Sequence, residues 1–303
     1  MKSIGKKTAR PLLMPTDFEM ASVRAFAYAV KLAGLTGARL EILHVIKTVS
    51  DSGSFTPDRR HLNSLKTAAL LELGRLTRVA GEARISADPS LRFGVPDACI
   101  LEAVEQLHPE MIVMGTEGRT GWDRLRLGST AETVVREATC PVLAVHGGLA
   151  GDAPHHHARV KVERLLLATD FSACAEEARR ALCVLAQRTN GSIRVVHVAA
   201  DEPAMKQGTR KMNGLLEDLR RNHPGAEGLC LPGEPVETIL RQAAQWRADV
   251  IAVGTQGRRG LSRLLLGSVA EGLLRRAGCP VLVVRRAAPL VRSADSRGRK
   301  REL

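Results

Sequence analysis

The chain repeats one glycine-containing pattern in each of its two halves, and this repeat constrains the fold more than any other feature. The first copy reads Gly115-Thr116-Glu117-Gly118, nine residues, then Gly128-Ser129, and the second reads Gly254-Thr255-Gln256-Gly257, nine residues, then Gly267-Ser268. An apolar run precedes each copy, and a helical pattern that ends in Cys-Pro follows it. Each loop is therefore predicted to join a buried strand to the start of a helix.

Glycines at such a junction let the backbone turn sharply and approach a ligand closely. The N–H groups that open a helix form a ready anion site. The alternative is that the glycines only make turns, since short motifs often match by chance. Turn formation alone does not require the same nine-residue gap in both halves, so the repeat favours a phosphate-binding loop that is built twice.

Hydrophobic periodicity predicts the element order β-α-β-α-β-α-β-α-β in each half. In the first half the expected strands are 11–14, 40–45, 84–92, 111–114 and 142–145, and the expected helices are 21–35, 58–83, 94–107 and 129–139. Strands that alternate with helices indicate a parallel sheet that is covered on both faces.

The two halves stay in register along most of their length. Asp17 and His44 are 27 residues apart, as are Asp170 and His197, so the early offset between the halves is 153 residues. The late offset is 139, and the 14-residue difference falls before Gly94, in a second loop and helix that we expect to be peripheral. The predicted organisation is a first domain at residues 1–147, a linker at 148–161, a second domain at 162–286 and a basic tail at 287–303.

Composition narrows the function classes. The net charge of +13 is compatible with binding nucleic acid, anionic lipid or polyphosphate, or with a solvated surface and a basic tail. Aromatic residues make up only 3%, which disfavours base stacking on single strands. The six cysteines form no C-x-x-C pair, and no apolar run reaches membrane-span length, so we expect a cytoplasmic protein. The histidines at 155–157 are interpreted as an exposed linker, with metal binding as the alternative.

Two further sets of residues lie where the loops should meet. Ligands of an open parallel sheet bind at the carboxyl ends of its strands, so Asp17 and Asp170, after strand one, should face the same crevice as the glycine loops. Each aspartate is either a helix N-cap or an acceptor for a ligand's hydrogens. Residues 129–132 and 268–271 both read S-x-x-E, which predicts a capping box beside the anion site. His44 and His197 are expected to be core or rim residues.

These motifs together resemble the universal stress protein family. The resemblance rests on Pro-Thr-Asp-Phe at 15–18, the His-Val strand end, Gly-x-x-Gly-x9-Gly-Ser and Cys-Pro-Val-Leu, and it covers nearly all of both halves. It implies an α/β fold of two Rossmann-like (adenine nucleotide alpha hydrolase-like) domains. Each domain would have a five-stranded parallel sheet of order 3-2-1-4-5 with helices on both faces. The two would form an intramolecular pseudo-dimer through their last strands, 142–145 and 281–284.

The resemblance also implies an ATP site in each half. In the first half the matching residues are Asp17, Val45, Met114, Gly115, Gly118, Gly128, Ser129 and Thr130. In the second half they are Asp170, Val198, Val253, Gly254, Gly257, Gly267, Ser268 and Val269. The halves differ at Pro15, which is Ala168 in the second half, and at the acidic Glu117 and Asp123, which become Gln256 and Ser262. Acidic groups near a phosphate weaken its binding unless magnesium intervenes, so ATP is expected to bind with Mg²⁺.

The expected function is that of a nucleotide-binding regulatory protein rather than an enzyme. The sequence contains no nucleophile–base–orienter set and no Walker A lysine beside the loops. Such a protein would act in the stress response through an unknown protein partner or a conformational signal, with further homodimerisation as an option. Two alternatives remain: a slow ATPase, and a nucleotide-free scaffold whose basic tail docks an acidic partner or nucleic acid.

Overall fold

The computed structural model describes residues 10–48, 59–116, 127–146, 160–255 and 266–285. The first half contains β1 (Leu12–Thr16), α1 (Met20–Thr36), β2 (Leu40–Lys47), α2 (Arg59–Glu82), β3 (Ala87–Gly94), α3 (Pro96–Leu107), β4 (Met111–Gly115), α4 (Ser129–Glu137) and β5 (Val142–Val145). The second half contains β6 (Arg164–Ala168), α5 (Ala173–Thr189), β7 (Ser192–Ala199), α6 (Glu202–Arg220), β8 (Glu227–Pro232), α7 (Pro235–Trp246), β9 (Val250–Gly254), α8 (Ser268–Arg276) and β10 (Val281–Val284). The predicted element order is confirmed in both halves.

The strands form one ten-stranded sheet of order β3-β2-β1-β4-β5-β10-β9-β6-β7-β8. Within each half the order is the predicted 3-2-1-4-5, and the neighbouring strands run parallel. The halves meet where β5 pairs with β10, and this is an antiparallel pair in which Leu143 lies opposite Leu282. The carboxyl ends of β1, β2 and β4 therefore lie along one edge of the first half.

Helices cover both faces of the sheet, which explains why the strands are apolar on both sides. Leu12 and Met14 of β1 pack in the core layer beneath α1, α2, α5 and α6. Leu13, between them, packs in the opposite layer beneath α3, α4, α7 and α8. The side chains of Leu12, Leu13 and Met14 are almost completely buried.

Local signals set several boundaries. Gly37 ends α1 in the left-handed region at φ 67°, and Pro96 occupies the first turn of α3. The third strand begins at Ala87 rather than at the predicted residue 84, because Arg84 adopts φ 61° in a turn after α2. Helix α2 has 24 residues against 19 in α6, and Leu71 on its outer side is 70% exposed. The longer helix thus presents an exposed outer side, whereas residues 49–58, which hold most of the extra length, lie outside the described residues.

Within the described part of the chain, none of the helices combines the length and the apolar character that crossing a membrane requires. Residues 148–159 of the predicted linker, the basic tail and the histidines at 155–157 lie outside the described residues, so those predictions stay predictions.

Candidate functional site

A cavity of about 260 Å³ opens at the carboxyl edge of the first half, just below the range of about 300–1,000 Å³ for small-molecule sites. Its walls come from the ends of β1, β2 and β4 and from the starts of α1, α3 and α4. Seven predicted site residues line it: Asp17, Val45, Met114, Gly115, Gly128, Ser129 and Thr130. The eighth, Gly118, lies outside the described residues. Residues that are distant in sequence therefore meet in one cleft because parallel strands end at the same edge.

One wall of this cleft is the N-terminus of α4. Gly128 caps the helix, and its own N–H donates to the Thr116 carbonyl oxygen at 2.8 Å. The next three N–H groups, of Ser129, Thr130 and Ala131, meet no hydrogen-bond acceptor among the described residues, and all three residues line the cavity. Helix starts leave such donors unpaired and carry a partial positive charge. This wall is suited to an anionic group such as a phosphate.

The predicted capping box is wrong in both halves. Ser129 and Ser268 are the first helical residues, while the caps are Gly128 and Gly267, neither of which has a side chain that could accept a hydrogen bond. An S-x-x-E pattern places serine at the cap only if the helix starts one residue later than it does here. The serine hydroxyls are therefore not used in capping.

Asp17 lines the same cleft and is held in place. Its Oδ1 accepts hydrogen bonds from the Glu19 N–H at 3.0 Å and from the Ser22 hydroxyl at 2.7 Å. The N-cap of α1 is Glu19, so the N-cap interpretation of Asp17 is wrong. Oδ2 has no hydrogen-bond partner among the described residues, which leaves it available to accept an N–H or O–H of a ligand.

Gly115 has a packing role that its motif does not reveal. A Cβ at this position would lie 2.7 Å from the Ala21 carbonyl carbon and 2.7 Å from the Ser22 backbone nitrogen. Only glycine lets the end of β4 approach the first turn of α1 this closely. Gly254 has the same relation to Cys174 and Ala175 at the start of α5, where the distances are 2.7 and 2.9 Å. Gly115 and Gly254 are thus required for the fold, and they also line or flank the cleft.

His44 is half-buried at the rim and His197 is buried, which agrees with the expectation of core or rim residues. His44 Nδ1 lies 2.7 Å from the carbonyl oxygen of Thr16, and the His44 ring stacks on Phe18 with centroids 4.4 Å apart. His197 Nδ1 lies 2.8 Å from the carbonyl oxygen of Thr169. Each histidine therefore ties the end of the second strand to the end of the first, just before the site aspartate.

The second half repeats this arrangement with differences. Gly267 N–H donates to the Thr255 carbonyl oxygen at 2.7 Å, and the next N–H groups, of Ser268, Val269 and Ala270, meet no acceptor in the described part of the chain. Asp170 Oδ1 accepts from the Ser172 N–H at 3.0 Å, and Ser172 rather than Asp170 caps α5. Val198 lies in β7 and Val253-Gly254 end β9. Gly257 lies outside the described residues, as do Glu117, Asp123, Gln256 and Ser262.

Ser22 has no counterpart in the second half, because the equivalent position is Ala175. Sequence inspection missed Ser22, and it also missed Pro96 and Ile100, which line the first cleft from α3. Ser22 lies one helical turn after the Asp17 loop, and Pro96 and Ile100 are four residues apart on one face of α3. Helical spacing next to a predicted loop is the signal that could have identified them.

Thr116, which lines the cleft, is joined to His146 through Oγ1 and Nδ1 at 3.0 Å. His146 Nε2 is buried and meets no hydrogen-bond partner in the described structure. Burial, aided by the nearby Arg24 charge, lowers the pKa of His146 below its ordinary value. The described residues contain no group of three metal-ligating side chains.

Comparison with known proteins matches this architecture. The model of the universal stress protein family matches twice, at residues 8–146 and 161–285. A universal stress protein of Mycolicibacterium smegmatis is 25% identical over 296 residues, which cover 90% of this chain and 96% of the relative. One of Mycobacterium tuberculosis is 28% identical over 220 residues, or 69% of this chain and 72% of the relative. The crystal structure of a universal stress protein from Archaeoglobus fulgidus aligns with a TM-score of 0.74 and 23% identity over 91% of this chain and 98% of its own.

Proposed function

Because this chain belongs to the universal stress protein family, in which a stress-response role is supported, we propose that it binds ATP and acts in that response through a partner protein or a conformational signal. The observation that carries the proposal is the cleft of the first half. There, the N–H groups of a helix start and a carboxylate line one cavity together with apolar side chains.

Each part of a nucleotide has a suitable surface in this cleft. The N–H groups at the start of α4 would take the phosphates, since they are unpaired donors at the positive end of a helix. Asp17 Oδ2 would accept a hydrogen from the ribose or the adenine. The apolar side chains of Leu43, Val45, Ile100 and Met114 would contact the flat base. Mg²⁺ would enter with the nucleotide, because it usually binds through phosphates and waters rather than in an all-protein cage.

We propose binding rather than turnover as the activity. Asp17 and His44 are the titratable side chains among the described lining residues, and the Nδ1 of His44 is engaged by the Thr16 carbonyl. Phosphoryl transfer requires charge clamps and a positioned nucleophile around the γ-phosphate. A site with one carboxylate and the start of a helix can bind a nucleotide, but among the described lining residues it supplies neither the charge clamps nor the nucleophile.

We propose that the domains are residues 1–147 and 162–286 and that they act as an intramolecular pseudo-dimer with one nucleotide site in each half. The β5–β10 pairing and the repeated helix-start donors support this arrangement. The six cysteines are all unpaired, which supports a reducing compartment such as the cytoplasm.

The test is calorimetric titration of the full chain with Mg-ATP, with Mg-GTP as the matched control. We expect saturable binding of ATP, weaker binding of GTP, and a stoichiometry of one or two. The variants Asp17→Asn and Asp170→Asn, alone and together, assign each bound nucleotide to a half. The absence of saturable heat at several temperatures, with no nucleotide released on denaturation, would contradict the proposal.

A further inference from the structure

A second and larger cavity, of about 680 Å³, lies at the opposite edge of the sheet. Leu12 and Met111, at the amino ends of β1 and β4, form its floor together with Pro141. Ala181 and Leu185 of α5 form the facing wall, so the cavity lies between the two halves. It is therefore separate from the nucleotide cleft, which is at the carboxyl ends of the same strands.

The duplication of the chain provides an internal comparison for this cavity. At an offset of 153 residues Ala181 is equivalent to Tyr28 of α1, and at an offset of 139 residues Glu110 is equivalent to Asp249. Tyr28 lies beside Asp249 and Cys279, and burial raises its pKa to about 12. Ala181 lines the cavity together with Glu110. A tyrosine ring thus occupies one of two equivalent spaces, while an alanine leaves the other open.

The open cavity also differs from its counterpart in charge. Arg10 and Arg188 line it, and their equivalents in the other half are Glu163 and Leu35. Arg188 forms an ion pair with Glu110 across the cavity. Arg10 has neither a hydrogen bond nor an ion pair with any described residue. Among the described residues, one positive charge without an ion pair therefore borders a largely apolar space, and it suits a monovalent anion better than a polyphosphate.

Exposed apolar surface at the rim supports a ligand site. Val184 lines the cavity and is 43% exposed, although most branched aliphatic side chains in this structure are buried. The volume lies within the range of about 300–1,000 Å³ for small-molecule sites, and such sites occur preferentially at domain interfaces.

We propose that this cavity binds a small aromatic carboxylate. Its ring takes the place that Tyr28 takes in the other half, and its carboxylate pairs with Arg10. Guanidinium groups hold carboxylates through two parallel hydrogen bonds, which adds geometric selectivity to the charge attraction. The ring shields Ala181 and Val184 from water and packs against the already buried Leu185.

The probe that matches this chemistry is 4-hydroxyphenylacetate, which carries the ring of tyrosine and one carboxylate. Its neutral amide, 4-hydroxyphenylacetamide, is the matched control ligand. Calorimetry and ligand-observed NMR on the full chain are expected to show saturable binding of the acid and about tenfold weaker binding of the amide. Failure of the wild-type chain to bind the acid at millimolar concentrations would overturn the proposal, whether the cavity is empty or filled by another part of the chain.

Three variants test the geometry. Ala181→Tyr fills the cavity with the ring found in the other half and should abolish binding, while Ala181→Ser keeps the volume and should bind as the wild type does. Arg10→Gln should lower the affinity for the acid to that for the amide and leave the amide unchanged. Equal binding by the Ala181→Tyr and Ala181→Ser chains, or an unchanged preference for the acid in Arg10→Gln, would overturn the proposal.

Two measurements keep these results independent of folding and of the nucleotide site. Arg10 is exposed, so Arg10→Gln remains informative if Ala181→Tyr fails to fold. Asp17→Asn, at the opposite edge of the sheet, should bind the acid with wild-type affinity. A loss of acid binding in Asp17→Asn would place the ligand in the nucleotide cleft and overturn the inference.

Discussion

The Ser22 hydroxyl donates a hydrogen bond of 2.7 Å to Asp17 Oδ1, and this contact fixes the carboxylate that faces the first cleft. Ser22 is almost completely buried in the first turn of α1, so its position is determined by packing. The second half has Ala175 at the equivalent position. The two sites therefore have different support for the same acid, and we expect this hydrogen bond to strengthen nucleotide binding in the first half.

Replacing Ser22 with alanine should weaken nucleotide binding in the first half by about 3- to 10-fold, the effect of losing one hydrogen bond of roughly 1 kcal/mol. Calorimetric titration with Mg-ATP measures the change. The converse variant, Ala175→Ser, is the matched test and should strengthen binding in the second half. Unchanged affinity in Ser22→Ala would show that Asp17 does not need this support.

Gly115→Ala should destabilise the first half. The added Cβ would lie 2.7 Å from backbone atoms of Ala21 and Ser22, which cannot move without shifting α1, and overpacking of this kind costs about 1–3 kcal/mol. Gly74→Ala is the control, since Gly74 lies within α2 with no neighbouring atom within 4 Å of the added Cβ. Alanine there should stabilise the helix by about 0.5–1 kcal/mol.

Urea unfolding of the two glycine variants and the wild type gives these free energies directly. Equal stability of Gly115→Ala and the wild type would remove the packing explanation and leave the approach of a ligand as the reason for this glycine.

The sequence predicted the fold because its signals are local and repeated. The order of elements along the chain followed from the alternation of apolar runs such as 111–114 with helical periods, and the equal spacing of Asp17 to His44 and Asp170 to His197 showed the duplication. The order of the strands within each sheet was implied only by the family resemblance. The edge at which the site residues meet followed from parallel topology alone.

Contacts between elements could not be predicted in the same way. Nothing in the motif shows that Gly115 touches the first turn of α1, or that α4 starts at Ser129 with Gly128 as its cap. The space left by Ala181 depends on how α5 packs against the strands of the other half. Periodicity indicates which face of a helix or strand is buried, but it does not indicate which residues that face contacts.

His146 should make the stability of the chain depend on pH. Its pKa is lowered in the folded state, mainly by burial, so the unfolded chain binds a proton more readily. The contribution of the neutral imidazole is therefore fully present above the ordinary histidine pKa of about 6.5 and is lost as the pH falls below it. Burial also lowers the pKa of His223, which adds a further loss of folding stability as the pH falls.

The variant His146→Gln removes the titration but keeps an amide that can bond to Thr116. Urea unfolding at about pH 7.5 and about pH 5 should show a smaller loss of stability for this variant than for the wild type. His223→Gln should reduce the loss separately, and the two effects should add. An identical pH dependence in His146→Gln and the wild type would mean that this histidine does not contribute.

The helix-start donors can be tested one at a time, because proline is tolerated at the first position of a helix and lacks an N–H. Gly128 has φ −64° and ψ 145°, an extended conformation that suits the residue before a proline. Ser129→Pro therefore removes one N–H from the cleft and leaves α4 intact. A hydrogen bond to a charged group contributes about 1.5–3 kcal/mol, so the affinity for Mg-ATP should fall by about tenfold or more.

The control is Ser129→Ala, which keeps the N–H and loses only the hydroxyl, so it separates the effects of these two donors. Ser268→Pro is the same test in the second half, and a double variant that still binds ATP at wild-type affinity would show that the phosphates are held elsewhere.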